Sequence, residues 1–333
     1  MGLSHIGKKL KKYGEDIEKS ITSSLSRGNQ EKVFDPIASR ILQDQSQIDN
    51  PEGSGDGKLT STASDEIQLL NQIKSRIDRA QSIGMDPEAC LERITFREPV
   101  SQSEVLDCLR TFGLAIFPSI FDSTRLEKIS LEYKDLIDNG ADLASDMAAR
   151  EDSPAHSYGI SLQRNALKAS RFPETVALFG SRTVEEIAKK YFAGQSFDYN
   201  GDLFVQWTDH TDTPASGALH WDKQLTLKSW LYVTDATEGF GAMRAGVGTA
   251  AWTRYIREDA MFNGIPYKEI VNQIEEDRIP VVPTGGPAGT FFLFVTDTAH
   301  GATPVDPGKR RNIIRGRSRP HRVKQWSAWA HKL

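Results

Sequence analysis

From Tyr199 onward the sequence stops spacing its apolar residues at helical intervals and gathers them into short dense runs. Leu203-Phe204-Val205, Leu227 to Val233, Ile279 to Val282 and Phe291 to Val295 are bounded by Gly, Pro, Asp or Thr. That is the pattern of strands closed by turns. Before Tyr199 the spacing is mostly helical. Ser101 and Glu104 have capping-box spacing ahead of Val105, Leu106 and Leu109, and Gly113 stops that helix. Leu114 to Phe117 reads as a short strand closed by Pro118. Asp122 or Ser123 then caps a helix through Leu126, Ile129, Tyr133, Leu136 and Ile137, ending at Asn139-Gly140. Residues 175–192 read as helical as well. Helices first and a block of strands later predict helices packed against a β-sandwich or barrel.

Residues 1–64 have another texture. Leu3, Ile6, Leu10, Tyr13, Ile17, Ile21 and Leu25 recur at spacings of three and four, one face of a helix. Such a face suits packing on the body or on a second subunit, hence a homo-oligomer, and alternatively a membrane surface. Asp49 to Ser64 is poor in apolar residues and rich in Gly, Ser, Thr and Asp, as a linker is. Helical spacing returns over Glu66 to Gln81. The expected division is therefore 1–64, an amphipathic helix with a flexible linker, and 65–333, a single domain. Within that domain helical support spans 65–198, and barrel strands lie mainly in 113–118 and 199–318. A barrel of about 250 residues is ordinary as one domain.

Composition narrows the function classes. The formal net charge of -4 gives no general pull toward nucleic acid or membrane. Two cysteines, Cys90 and Cys108, are too few for a disulfide framework or a thiolate metal site, and Cys108 falls in an apolar helical pattern as a packing residue. No run reaches the roughly 18 apolar residues of a membrane span. Lys8, Lys9, Lys11 and Lys12 interrupt any signal-peptide core, and Ile6 stands where a myristoylation motif needs Ser or Thr. A cytoplasmic protein is expected. Lys309 to Lys324 is strongly basic. It reads either as a solvated tail or as a means of attracting an anionic substrate, and no nucleic-acid motif accompanies it.

Chemistry gathers around His220-Trp221-Asp222, which leads toward the strand around Trp230-Leu231-Tyr232-Val233. Residues two apart on a strand share a face, so the imidazole and carboxylate converge. His300, after the buried run Phe291 to Val295, is the natural third ligand. Two His and one carboxylate bind Fe(II) facially and leave positions open for a chelating cosubstrate and O2. His210-Thr211-Asp212 repeats the motif but lies in a polar stretch that leads to Pro214, without support for rigid ligands. Gly285-Gly286-Pro287 lacks the elements of a phosphate loop and reads as a turn.

In order along the chain come His220-x-Asp222, Lys228-x-Trp230-Leu231-Tyr232-Val233-Thr234-Asp235, a glycine-rich turn from Gly239 to Gly248, Ala288 to Phe294, His300 and a basic cluster. Upstream stands Phe112 to Pro118 with its following helix. This series resembles the phytanoyl-CoA dioxygenase-like branch of the Fe(II)/2-oxoglutarate oxygenases, over roughly residues 103–318.

The resemblance implies a mainly β fold with flanking helices, built on a double-stranded β-helix core of the jelly-roll or cupin kind. It implies a metal site of His220, Asp222 and His300, with Fe(II), 2-oxoglutarate and O2 as cofactors. It also implies an arginine about eleven positions past the distal histidine for the cosubstrate's far carboxylate. Arg311 fits, with Arg310 as competitor, and a guanidinium pairs a carboxylate bidentately. Relatives often place a hydroxyl two residues after that histidine; here Ala302 stands there and Thr303 is one step beyond. The glycine-rich turn lacks the family's usual Pro, Ser and His. Gln206 and Trp207, before His220, are candidates to line the pocket, ahead of His156, Tyr158, Gln163 and Arg164. The implied reaction is C–H hydroxylation of a small, in one version anionic, organic substrate, with release of succinate and CO2. Asp222 leaves no vacated position for a halide. Two other readings keep the barrel: a non-catalytic binding or scaffold protein, and a non-oxidative cupin-type metal enzyme.

Overall fold

The computed structural model describes residues 35–43, 86–149, 157–193, 195–210, 218–222, 224–250, 252–254, 276 and 279–321. The expectations for residues 1–34 and the linker, the helix over Glu66 to Gln81, His156 and the tail beyond His321 lie outside them.

Local signals set the first elements. After α1 (Pro87–Ile94), Val100–Ser101 (β2) pairs in parallel with Ile41–Leu42 (β1). Helix α2 (Gln102–Thr111) starts at the expected capping box: Ser101 Oγ accepts from Glu104 N, and the Glu104 carboxylate accepts from Ser101 N. Gly113, at φ 81°, turns the chain into β3 (Leu114–Phe117). Cys108 is buried, its thiol donating to Leu114 O. Asp122 caps α3 (Ser123–Asn139), which buries Ile129, Tyr133 and Leu136 on one face. The stretch read as one helix over 175–192 is two, α4 (Pro173–Phe179) and α5 (Arg182–Tyr191), because Ser181 caps α5 anew after Gly180. Helix α4 has no side-chain cap of its own; Glu132 of α3 accepts from the backbone N–H of Glu174 and Thr175 instead.

Seven antiparallel strands form the large sheet. They are β3, β4 (Ala144–Ala149), β5 (Ser157–Gln163), β6 (Phe197–Asp209), β7 (Leu227–Tyr232), β10 (Phe291–Val295) and β12 (Arg310–Pro320), in the order β3-β10-β7-β12-β6-β5-β4. Strand β10 is buried throughout because β3 and β7 flank it and both its faces are covered. Strands β4 and β5 fall in the stretch expected to supply helical support. Their polar sequence hides them: Ser157-Tyr158-Gly159-Ile160-Ser161-Leu162-Gln163 alternates, but its apolar set is short. A small sheet holds β8 (Met243–Gly246), β9 (Val281–Pro283) and β11 (Ala299–Ala302) in the order β11-β8-β9.

The two sheets close on each other. Tyr232 of β7 accepts from Met243 N of β8, and Phe294 of β10 stands edge-on to His300 of β11 with ring centroids 5.1 Å apart. On the outer face of the large sheet Tyr133 of α3 donates to Gln206 O. The whole is a mainly β fold with flanking helices, a double-stranded β-helix. Among the described residues no helix is long and apolar enough to cross a membrane.

Candidate metal centre

The His220-x-Asp222 motif stands just ahead of β7, not on it. It is tied down by backbone pairing rather than strand alternation. His220 N donates to His300 O at 3.0 Å and His300 N to His220 O at 2.7 Å, an isolated antiparallel bridge. Asp222 N donates to Thr296 O at 3.0 Å, and Thr226 N to Thr296 Oγ1 at 2.9 Å. Between them Trp221 is fully buried. The turn Thr296 to Thr298, which precedes β11, therefore fixes both halves of the site. Asp297 in that turn is buried and paired with Arg254 at 2.7 Å.

These ties bring the three donors together: one ligand atom each from His220, Asp222 and His300 lie within 4.8 Å of one another. His300 Nδ1 is 2.8 Å from Thr298 O. A carbonyl can only accept, so Nδ1 carries the proton and Nε2 presents its lone pair inward. Asp222 Oδ1 is 3.6 Å from that Nε2, while Oδ2 is held by Lys228 Nζ at 2.8 Å. A first-row divalent ion with bonds of about 2.1 Å sets neighbouring ligand atoms roughly 3 Å apart. The donor set fits such an ion after a small adjustment, with one carboxylate oxygen turned to it.

The protonation states suit metal binding too. Burial lowers the His300 imidazolium, with Lys228 adding to the effect, to about 3. Burial works against the charge on Asp222, but the Lys228 ammonium on its Oδ2 outweighs it and holds the carboxyl below the usual carboxylate range. A neutral imidazole and an ionised carboxylate are the forms a metal takes. Lys228 itself is buried, its ammonium 5.2 Å from the Phe294 ring.

Arg311 and Arg310 point to opposite faces of β12. Arg311 is buried on the inner face, donating to Gly241 O through Nη1 and to Thr208 Oγ1 through Nη2. Its Nε is buried and has no hydrogen-bond partner among the described residues, a donor that a carboxylate would satisfy. Arg310 is exposed on the other face, in a two-bond pair with Asp209 and 5.8 Å from the Trp207 ring. Thr303 Oγ1 is committed to Ala242 O at 3.0 Å. Gln206, opposite Ile313, faces inward with Arg311; Trp207 faces outward and stacks on Tyr158. Gln163 donates to Asp202. His210 bonds Val305 O, and its partner Asp212 lies outside the described residues.

Lys228 was visible in the sequence as part of a strand, but its grip on Asp222 was not. The alternation Lys228, Trp230, Tyr232 held the signal, since residues two apart share the inner face.

A double-stranded β-helix with two imidazoles and a carboxylate gathered between its sheets defines a class, the mononuclear non-haem iron oxygenases. The chain belongs to the phytanoyl-CoA dioxygenase (PhyH) family of Fe(II)/2-oxoglutarate oxygenases, which its residues 109–313 match. No curated protein gives a significant match. Among solved structures, the chain is similar to the 2-oxoglutarate-dependent carbocyclase SnoK of nogalamycin biosynthesis. They share 17% identity over 65% of this chain and 82% of that one, with a TM-score of 0.48. The epimerase SnoN of the same biosynthesis gives 15% identity over 68% and 88%, TM-score 0.45. EctD from S. alaskensis gives 14% over 64% and 75%, TM-score 0.46. The family assignment rests on the sequence match.

Proposed function

We propose that this chain is a hydroxylase: it uses Fe(II), 2-oxoglutarate and O2 to oxidise a C–H bond of a small organic substrate. The observation that carries the reading is the convergence of His220, Asp222 and His300 within 4.8 Å, in a chain of this family. Those three residues would hold the iron, and residues 65–333 would form the oxygenase domain. When bound, iron and 2-oxoglutarate supply the oxidising power, with succinate and CO2 as the cosubstrate's products.

The residues divide the remaining work. Thr298 O keeps the His300 proton on Nδ1, so Nε2 stays free to ligate. Lys228 occupies Asp222 Oδ2 and limits the carboxylate to one ligating oxygen. Arg311 pairs the far carboxylate of 2-oxoglutarate, and the bond made by its Nε would remove a desolvation penalty of about 1–3 kcal/mol. Asp222 fills the position that a halide would need, so oxygen insertion is favoured over halogenation.

The test is turnover. With Fe(II) and O2 the purified chain should convert 2-oxoglutarate to succinate slowly alone and faster with a true substrate, which gains one oxygen atom. His300→Ala should abolish this. Turnover that needs no O2 and runs with Zn(II) would instead support a non-oxidative enzyme. A well-folded, metal-loaded chain without 2-oxoglutarate binding would support a scaffold. Chlorinated product in chloride buffer would contradict the oxygen-insertion outcome.

A further inference from the structure

The turn that fixes the metal centre carries a charge of its own. Thr296 O accepts from Asp222 N, and Thr298 O holds the Nδ1 proton of His300. Asp297 stands between these two carbonyls, and its carboxylate is fully buried. Asp297 Oδ2 accepts from Arg254 Nε at 2.7 Å, and the Asp297 carbonyl accepts from Thr253 Oγ1. Residues 253 and 254 thus grip both the side chain and the backbone of Asp297. Arg254 reaches onward: its Nη2 donates at 2.9 Å to the hydroxyl of Tyr191, the last residue of α5.

A buried ion pair is a weak source of stability, because desolvating both charges offsets most of their attraction. What such a pair does supply is direction. A guanidinium is a rigid planar fork, so bonds from Nε to Asp297 and from Nη2 to Tyr191 fix its plane. Asp297 is then oriented from outside the turn. Peptide units are planar, so the Thr296 carbonyl swings with φ of Asp297, and the chain leading to the Thr298 carbonyl swings with its ψ. Tilting Asp297 would therefore disturb the anchor of Asp222 and the anchor of His300 together.

We propose that Asp297, held by Arg254 and through it by Tyr191, is a positioning residue of the metal centre. It sets the turn so that Asp222 and His300 present their donor atoms at one point. This rests on the reading of His220, Asp222 and His300 as metal ligands.

Titration of the metal-free full chain with Co(II) tests it, because the visible absorption of that ion reports both affinity and ligand geometry. Circular dichroism and denaturant unfolding, run alongside, read folding and stability separately. Asp297→Asn keeps the shape and removes the charge. It strands no buried cation, since 21% of the Arg254 side chain is exposed. Co(II) should bind it about tenfold more weakly than wild type, the lower end of what groups orienting a ligand contribute, and with a shifted band. Tyr191→Phe, which loosens Arg254 alone, should shift both in the same direction by less. A folded Asp297→Asn with wild-type affinity and band overturns the proposal, whatever its loss of stability, and leaves the pair a purely structural one. If Asp297→Asn does not fold, Tyr191→Phe decides: a shifted band upholds the proposal, and unchanged affinity and band overturn it. Wild type that binds no Co(II) strikes the metal-centre reading and this proposal together. Wild type that binds, beside variants that match it, strikes this proposal alone.

Discussion

Lys228 Nζ lies 2.8 Å from Asp222 Oδ2, while the other oxygen of that carboxylate faces His300 Nε2 at 3.6 Å. One side chain thus sets which oxygen of the carboxylate is offered to a metal. Groups that orient ligands in this way typically change metal affinity by roughly 10–100-fold when removed. Lys228→Met should weaken Fe(II) or Co(II) binding by about that factor. Equilibrium metal titration reads it, with circular dichroism checking that the fold is kept. Unchanged affinity would mean that Lys228 only packs.

The two arginines at the start of β12 should separate cleanly. Arg311 is buried on the inner face with an unmet Nε donor, whereas Arg310 is exposed and paired with Asp209. Arg311→Ala should raise the 2-oxoglutarate concentration needed for half-saturation by about tenfold to a hundredfold, the worth of a charged hydrogen bond. Arg310→Ala should leave it unchanged, since an exposed pair contributes about 1 kcal/mol at most to stability. Saturation curves for the two variants, run side by side, check this.

Gly113 couples the fold to the centre. Its φ is 81°, and a Cβ there would come within 2.0 Å of Thr298 Oγ1. Thr298 is the residue whose carbonyl fixes His300. Gly113→Ala should therefore cost about 2–4 kcal/mol in stability and weaken metal binding with it. Denaturant unfolding measures the first and metal titration the second. A loss of stability with full metal affinity would show that the turn absorbs the clash without moving His300.

A pH signature is expected far from the site. Arg171 binds both oxygens of Asp135, and those bonds hold the Asp135 carboxyl down at about 2, against an ordinary 3.8. A depressed carboxyl stabilises the fold above the unfolded value and loses that contribution as pH falls through the folded one. Wild type should thus be slightly more stable than Arg171→Gln near neutrality. The gap should close between about pH 4 and pH 2. A gap that stays constant across that window would assign the effect to packing.

Much of this was legible in the sequence, for identifiable reasons. Phe291 to Val295 announced a strand buried on both faces, and Ser101 with Glu104 announced a helix start, because each signal is local. His220, Asp222 and His300 could be named from spacing and resemblance. What holds His220 and Asp222 could not: they lie ahead of the strand, and backbone bonds to His300 and Thr296, far along the chain, do the work. Strands β4 and β5 escape the sequence because strands rich in polar and small residues carry little apolar periodicity. The inner-face partnership of Arg315 with Phe204 and Trp230 depends on strand register, which a basic run between Lys309 and Lys324 does not reveal.

The most direct test of the account is an anaerobic titration of metal-free protein with Fe(II) and then 2-oxoglutarate, followed by visible absorption. Wild type should show a weak charge-transfer band that needs both components. It should disappear in His220→Ala and require far more 2-oxoglutarate in Arg311→Ala. A folded, iron-loaded wild type that shows no band, or a His220→Ala variant that keeps it, would contradict the central claim that these residues form a 2-oxoglutarate-dependent iron centre.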